Sequence, residues 1–256
     1  MTHENDFRDL CREGLFEHYI SLGRGCYIAI ELEQLGLRDV AMPFDWNGTR
    51  WRAIERAITT GFEEYLCYDK LYQKKAAPHI YKDIDYGVSF VHDFVSYLPL
   101  RVQFKKVEKK YERRIDRFYL CMKQPCLFLR YCWDLEEVKY IANNYQKIEQ
   151  LIKKENPLSE IVFITHEKAN DEIIQEIKNL FFVDIDADEE LNTKPITSNE
   201  ELYDILYTAK YQKKKDNFCF LEDKKTRNKM STISKRMKRR IIKLLSRYTY
   251  HHNQQY

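Results

Sequence analysis

Short apolar runs alternate with segments of helical period along most of this chain, and that alternation limits the fold more than any other feature. The runs are Phe16–Leu22, Gly87–Phe94, Cys126–Tyr131, Ile161–Thr165 and Leu180–Ile185. Each is short enough for a strand and rich in β-branched or aromatic residues. Between them lie helical segments. One carries Ile28, Leu32 and Leu35 and stops at Gly36, a second runs from Thr49 to about Leu66, and a third opens at Pro99 and continues to about Lys123. Asp134 is placed to cap a fourth, which ends before Asn156-Pro157; Glu172–Asn179 and Asn199–Lys210 follow, with Ser198 as the cap of the last. Residues 67–86 are rich in Tyr and Lys without a clear period and read as a long loop. Strands separated by helices of this length predict an α/β fold: a mainly parallel sheet flanked by helices on both faces, a three-layer arrangement.

Charge divides the chain where periodicity does not. From Lys224 to the end there are 11 Lys or Arg and no Asp or Glu, leaving 32 of the 43 basic residues against all 40 acidic ones in the remainder. Residues 1–211 therefore read as an acidic α/β domain and 212–256 as a basic tail. In the tail Ile233, Met237, Ile241, Leu244, Leu245 and Tyr248 form one helical stripe, and Lys235, Arg236, Lys238, Arg239, Arg240, Lys243 and Arg247 face the other way. A basic amphipathic C-terminal helix is expected, suited to an anionic membrane surface ahead of nucleic acid. No apolar run approaches the eighteen or so residues of a membrane span, and Met1–Phe16 lacks the basic-then-apolar pattern of an export signal. The expected location is the cytoplasm, peripheral to the inner membrane face. Seven cysteines fall without disulfide rhythm, Cys-x-x-Cys spacing or a Cys/His zinc pattern, so free thiols and no metal or cofactor are expected.

The densest chemical signal is Ile20-Ser21-Leu22-Gly23-Arg24-Gly25-Cys26, where a strand turns into a helix. Glycines permit the tight turn, and a cysteine in the first helical turn faces unpaired amides and a dipole that favour its thiolate. His92 and His166, each at the end of a predicted strand, are the candidate bases, and His79 is weaker. Asp45 and Trp46, in Pro43-Phe44-Asp45-Trp46, can orient a histidine and exclude water. Arg113, Arg114 and Arg117 share one helix, and Arg130 ends a strand; together they suit a phosphate or carboxylate. A second enzyme reading makes Ser21 the nucleophile of an ester hydrolase and Cys26 mere packing. A third is a non-catalytic module that binds an anionic ligand in surface-polysaccharide biosynthesis.

Three of these segments together, Ser21-Leu22-Gly23 with Cys26, Pro43-Phe44-Asp45-Trp46 and Phe90-Val91-His92-Asp93-Phe94, resemble the bacterial family labelled "putative papain-like cysteine peptidases". Arg113–Phe118 and Leu127–Arg130 also resemble its pattern, and the likeness spans roughly residues 17–190. The resemblance implies a cysteine peptidase or related thiol-dependent hydrolase or acyltransferase, acting on an acyl, peptide or glycoconjugate substrate. It implies Cys26 as nucleophile, His92 as general base and Asp93 or Asp45 as the orienting acid. Ser21, Gly23, Trp46, Arg114 and Arg130 would face the substrate, with His166 as the alternative base.

Overall fold

A computed structural model describes residues 6–166, 172–185 and 192–212. Four strands, β1 (His18–Ser21), β6 (Cys126–Tyr131), β7 (Glu160–Thr165) and β8 (Leu180–Phe182), form one sheet in that spatial order, every pair parallel. Alternation along the strands divides the core between its two faces. Ile20, Phe128, Ile161 and Phe163 point to one side and Tyr19, Leu127, Leu129, Val162 and Ile164 to the other. The first side is covered by α3 (Trp51–Thr59), α4 (Leu100–Met122), α5 (Leu135–Asn143) and α6 (Tyr145–Lys153). The second is covered by α1 (Phe7–Arg12), α2 (Tyr27–Leu35) and a helix over residues 200–212. This is the expected α/β sheet with helices on both faces. The basic helix expected after Ile233 lies outside the described residues. Among the described residues no helix is long and apolar enough to cross a membrane.

The local chemistry explains most boundaries. Asp134 caps α5 by accepting the Glu137 amide at 3.0 Å. Gly36 ends α2 with φ of 72°, a left-handed cap that costs a glycine nothing. On α4 the buried residues Val107, Tyr111, Arg114, Phe118, Cys121 and Met122 recur at helical spacing along one side. At the last helix the cap is Asn199, which accepts the Leu202 amide at 2.9 Å, rather than Ser198.

Elsewhere the structure departs from expectation. Residues 67–86 are not a loop: β3 (Leu71–Lys74) and β4 (Ala77–Asp83) form an antiparallel hairpin. Only Tyr81 and Asp83 of its strand residues are buried, so no apolar alternation marked it. The predicted strand over 87–94 shrinks to β5 (Ser89–Phe90), which joins β4 and a short β2 (Asn47–Gly48) in a second, antiparallel sheet ordered β2-β5-β4-β3. The helix from Thr49 stops at Thr59, not Leu66. Gly61, Phe62, Glu64 and Leu66 all adopt positive φ, and the turn they make stacks Phe62 on Phe44 at 5.4 Å between ring centroids. Packing around the buried Phe44 ring overrides helix propensity there.

His18, at the start of β1, sits between Asp39 and Gln124, 3.4 Å from Asp39 Oδ2 and 2.9 Å from Gln124 Oε1. Its pKa is pushed up to about 10, first by the hydrogen bond with Asp39 and then by one with Cys121. A folded-state pKa above the unfolded value means protons bind more tightly to the native state. The resulting stability is fully present below about pH 6.5, the free imidazole value, and fades as pH rises through about 10. Asp39→Asn should therefore lower the urea midpoint at pH 6, with the deficit against the parent closing by pH 10.5. A deficit constant across that range would assign the loss to something other than the imidazolium.

Candidate active site

The turn from β1 into α2 runs at the carboxyl edge of the parallel sheet, where the strands of an open α/β sheet leave room for ligands. Leu22 continues the ladder by donating its amide to the Leu129 carbonyl at 2.8 Å. Gly23, Arg24 and Gly25 then take φ of 84°, 70° and 118° in succession. The left-handed conformation of Arg24 costs about 1–2 kcal/mol for an L-residue. Contacts of its side chain offset that strain. The guanidinium donates to the Cys132 carbonyl and lies over the rings of Tyr131 and Trp133 at 4.3 and 5.3 Å. Nη1 also meets His166 Nδ1 at 3.1 Å. Arg24 thus ties the Gly23–Gly25 turn to the ends of β6 and β7.

Cys26 follows as the N-cap of α2, half-buried, with its carbonyl accepting the Ile30 amide at 2.9 Å. The helix-start argument predicts a lowered thiol pKa. In the structure burial pushes it up instead, opposed only in part by a backbone amide. Among the described residues no side chain hydrogen-bonds the sulfur to oppose that burial further. Near neutrality Cys26 rests as a thiol, and any attack must hand its proton to a base.

Phe44, Thr49 and Arg130 converge on Gly23. A β-carbon there would collide with Thr49 Oγ1 and come within 3.3 Å of the Phe44 carbonyl and 3.4 Å of Arg130 Nη1. Arg130 is fully buried, and its fork donates to Leu22 O at 2.8 Å, Thr49 O at 2.7 Å and Glu137 Oε1 at 2.7 Å. Glu137 also accepts the amides of Trp51 and Trp133. The donors expected to meet a substrate anion are spent on holding the turn, the Thr49 loop and α5 together. Ser21 is likewise buried, its Oγ accepting the Gly23 amide at 3.4 Å, which closes the turn.

The loop after Met42 supplies the other wall. Asp45 is buried and accepts from the Met42 amide at 2.8 Å and from Arg38 at 2.8 and 3.1 Å. Burial raises its pKa, and Arg38 opposes the shift. Trp46 lies beneath the Arg38 guanidinium at 5.6 Å and meets the His92 ring edge-to-face at 5.9 Å. His92 is exposed just beyond β5, with the imidazole making no hydrogen bond among the described residues. Asp93 turns the opposite way. Its carboxylate accepts from Tyr111 Oη at 2.8 Å and pairs with Lys110, anchoring the segment to α4. Neither carboxylate expected to orient His92 bonds to it here. Arg114 is buried beside Tyr111, 5.4 Å from the ring centroid, with Nη1 unpartnered; Arg113 is exposed and Arg117 bonds back to the Arg113 carbonyl. His79 stands on β4.

Four residues with no role in the sequence reading matter to this arrangement. Arg24 and Thr49 have been described; Trp133 donates its indole N–H to Thr49 O. Asn47 is fully buried, donating to Pro43 O and Tyr65 Oη at 2.9 Å each while its own oxygen faces Tyr111 Oη at 2.8 Å. An arginine between two glycines, and an amide directly after Asp45-Trp46, were the only local signals for any of them.

Residues 17–169 match the model of a family described as "Putative papain-like cysteine peptidase". Among curated proteins, one from Acanthamoeba polyphaga mimivirus, described only as uncharacterized, is 28% identical over 156 residues, covering 52% of this chain and 68% of its own. No solved structure matches the chain.

Proposed function

The chain belongs to the family described as "Putative papain-like cysteine peptidase", and on that premise we propose that it is a thiol-dependent hydrolase of acyl bonds, with Cys26 as nucleophile and His92 as general base. The observation that carries the reading is the packing of Gly23 against Phe44, Thr49 and Arg130. That packing fixes the Pro43–Thr49 loop against the cysteine turn, and the same loop bears Trp46, on which His92 rests.

In the proposed step Cys26 Sγ attacks a carbonyl carbon as its proton passes to the imidazole of His92. The carbonyl pair moves onto oxygen, where amides at the start of α2, free of intrahelical partners, can receive it. Collapse expels the amine or alcohol, which takes the proton from His92, and leaves a thioester for water to cleave. Trp46 meets the imidazole edge-to-face and holds its orientation. Asp93 acts on His92 only through the backbone, by anchoring the segment to α4.

His166 suits a different task. A guanidinium has donors and no acceptor, so Nδ1 facing Arg24 must itself accept. A cation at that nitrogen leaves the ring poorly placed to take a proton there. This favours His92 as the base.

Iodoacetamide labelling at pH 7, mapped by peptide mass, tests the assignment. An adduct is expected on the Cys26 peptide, and His92→Ala should slow its formation by about a hundredfold, the low end of general-base contributions. His166→Ala should leave the rate near that of the parent. If His92→Ala labels Cys26 as fast as the parent does, the imidazole is not the proton acceptor and the mechanism fails.

A further inference from the structure

Arg24 carries a buried charge that no carboxylate answers among the described residues. It is 6% exposed, and the hydrogen bonds of its guanidinium all leave from Nη1, to the Cys132 carbonyl and to His166 Nδ1 at 3.1 Å. Nε is buried and meets no acceptor. With Tyr131 and Trp133 against its face, the group is left with one free donor edge, Nε with Nη2. Glu137 comes to the other side of the same peptide unit, accepting the Trp133 amide at 2.7 Å, but its charge is paired with Arg130. Two buried guanidiniums thus share one carboxylate, and an unpaired buried charge is costly. Burial lowers the pKa of Arg24 accordingly. Elsewhere in the chain the same edge is filled. Arg8 gives Nε and Nη2 to Glu201 at 3.0 and 2.7 Å, and Arg38 gives them to Asp45 at 3.1 and 2.8 Å.

From this arrangement we infer that Arg24 is a carboxylate-binding residue of the candidate site, and that the acyl compounds attacked by Cys26 carry a carboxylate close to the reacting carbonyl. The substrate class rests on Cys26 as the nucleophile; the carboxylate site does not. Arg24 and Cys26 stand two positions apart on the same turn, so their α-carbons lie within about 7 Å of each other. A carboxylate offers two coplanar oxygens to the two parallel N–H groups of the free edge and supplies the missing counter-charge. The left-handed φ of 70° at Arg24 then holds a binding group in place, a use to which backbone strain is often put.

Two measurements on the full chain test this, and the first is independent of Cys26. The Arg24 Nε–H resonance, assigned by its loss in Arg24→Lys, should move downfield and level off as sodium acetate is added. Sodium chloride at equal ionic strength should leave it in place. A resonance that responds alike to both salts, or to neither, would overturn the site. The second measurement reads the substrate class. Iodoacetate and iodoacetamide present the same reacting carbon with and without a carboxylate, and the half-buried Cys67 supplies the reference ratio of their rates. That ratio should be about tenfold higher at Cys26 than at Cys67, the low end of what a charge-assisted hydrogen bond supplies. Arg24→Gln should bring it down to the Cys67 value, and Arg24→Lys, which keeps a charge without the paired donors, should retain part of it. Equal ratios at the two cysteines in the parent, or the parent ratio surviving in Arg24→Gln, would overturn the substrate class. His92→Ala should slow both reagents at Cys26 and leave their ratio unchanged. Loss of that slowing alone strikes the proposed base and not the carboxylate site.

Discussion

Arg130→Met is expected to lower the unfolding free energy by about 3–5 kcal/mol, the usual consequence of removing one partner of a buried ion pair. The guanidinium is fully enclosed and spends four of its five N–H donors on Leu22 O, Thr49 and Glu137. A methionine fills the volume and satisfies none of these acceptors. It leaves the Glu137 carboxylate buried with only the amides of Trp51 and Trp133. Urea unfolding at pH 7 measures the loss. Arg130→Lys should recover little of it, since a single ammonium cannot span three directions at once. The double variant Arg130→Met, Glu137→Leu should be more stable than Arg130→Met alone, because the stranded charge goes with its partner. A loss under about 1 kcal/mol, of the size of an exposed pair, would mean that the arginine is not the clamp between β1, the Thr49 loop and α5.

Gly23→Ala should cost about 3 kcal/mol or more, from two separate sources. A left-handed φ of 84° is strained for any side chain, by about 1–2 kcal/mol. In addition the new methyl would strike Thr49 Oγ1, with the Phe44 carbonyl and Arg130 Nη1 close behind, adding an overpacking penalty of about 1–3 kcal/mol. Gly36→Ala provides the internal comparison. Its φ is 72° and a β-carbon there meets nothing within 4 Å, so it carries the strain without the collision. Denaturant midpoints should fall about twice as far for Gly23 as for Gly36. Equal losses would show that the Pro43–Thr49 loop yields readily and does not hold the cysteine turn. The Cys26 adduct offers a second readout, since a displaced loop takes Trp46 and His92 with it.

Much of the framework was legible in the residues. Cys126–Leu129 and Ile161–Ile164 are continuous apolar runs because both faces of a parallel sheet are covered, and they stood out for that reason. Gly36, Pro99 and Asp134 marked helix ends through local chemistry that needs no distant partner. The hairpin of β3 and β4 left no comparable trace. One strand edge faces water, only Tyr81 and Asp83 are buried, and Lys, Gln and Tyr alternate with nothing to distinguish inside from outside. In the candidate site Cys26 and Gly23 could be read from the turn. Arg130 was read as a substrate ligand because a strand-end arginine looks the same whether its acceptors belong to a ligand or to the chain.

The amino-acid order by itself determined the parallel sheet, the glycine turn into α2 and the cysteine at its start, since each follows from periodicity or from backbone freedom within a few residues. Tertiary structure alone decided what those residues do for one another. It turned Arg130 and Ser21 inward, gave Asp45 to Arg38 and Asp93 to Tyr111, and set Arg24 against His166. Buried polar groups take whichever partner the packing brings within hydrogen-bond reach. Those partners lie up to 142 positions apart in the chain, beyond what any local pattern encodes.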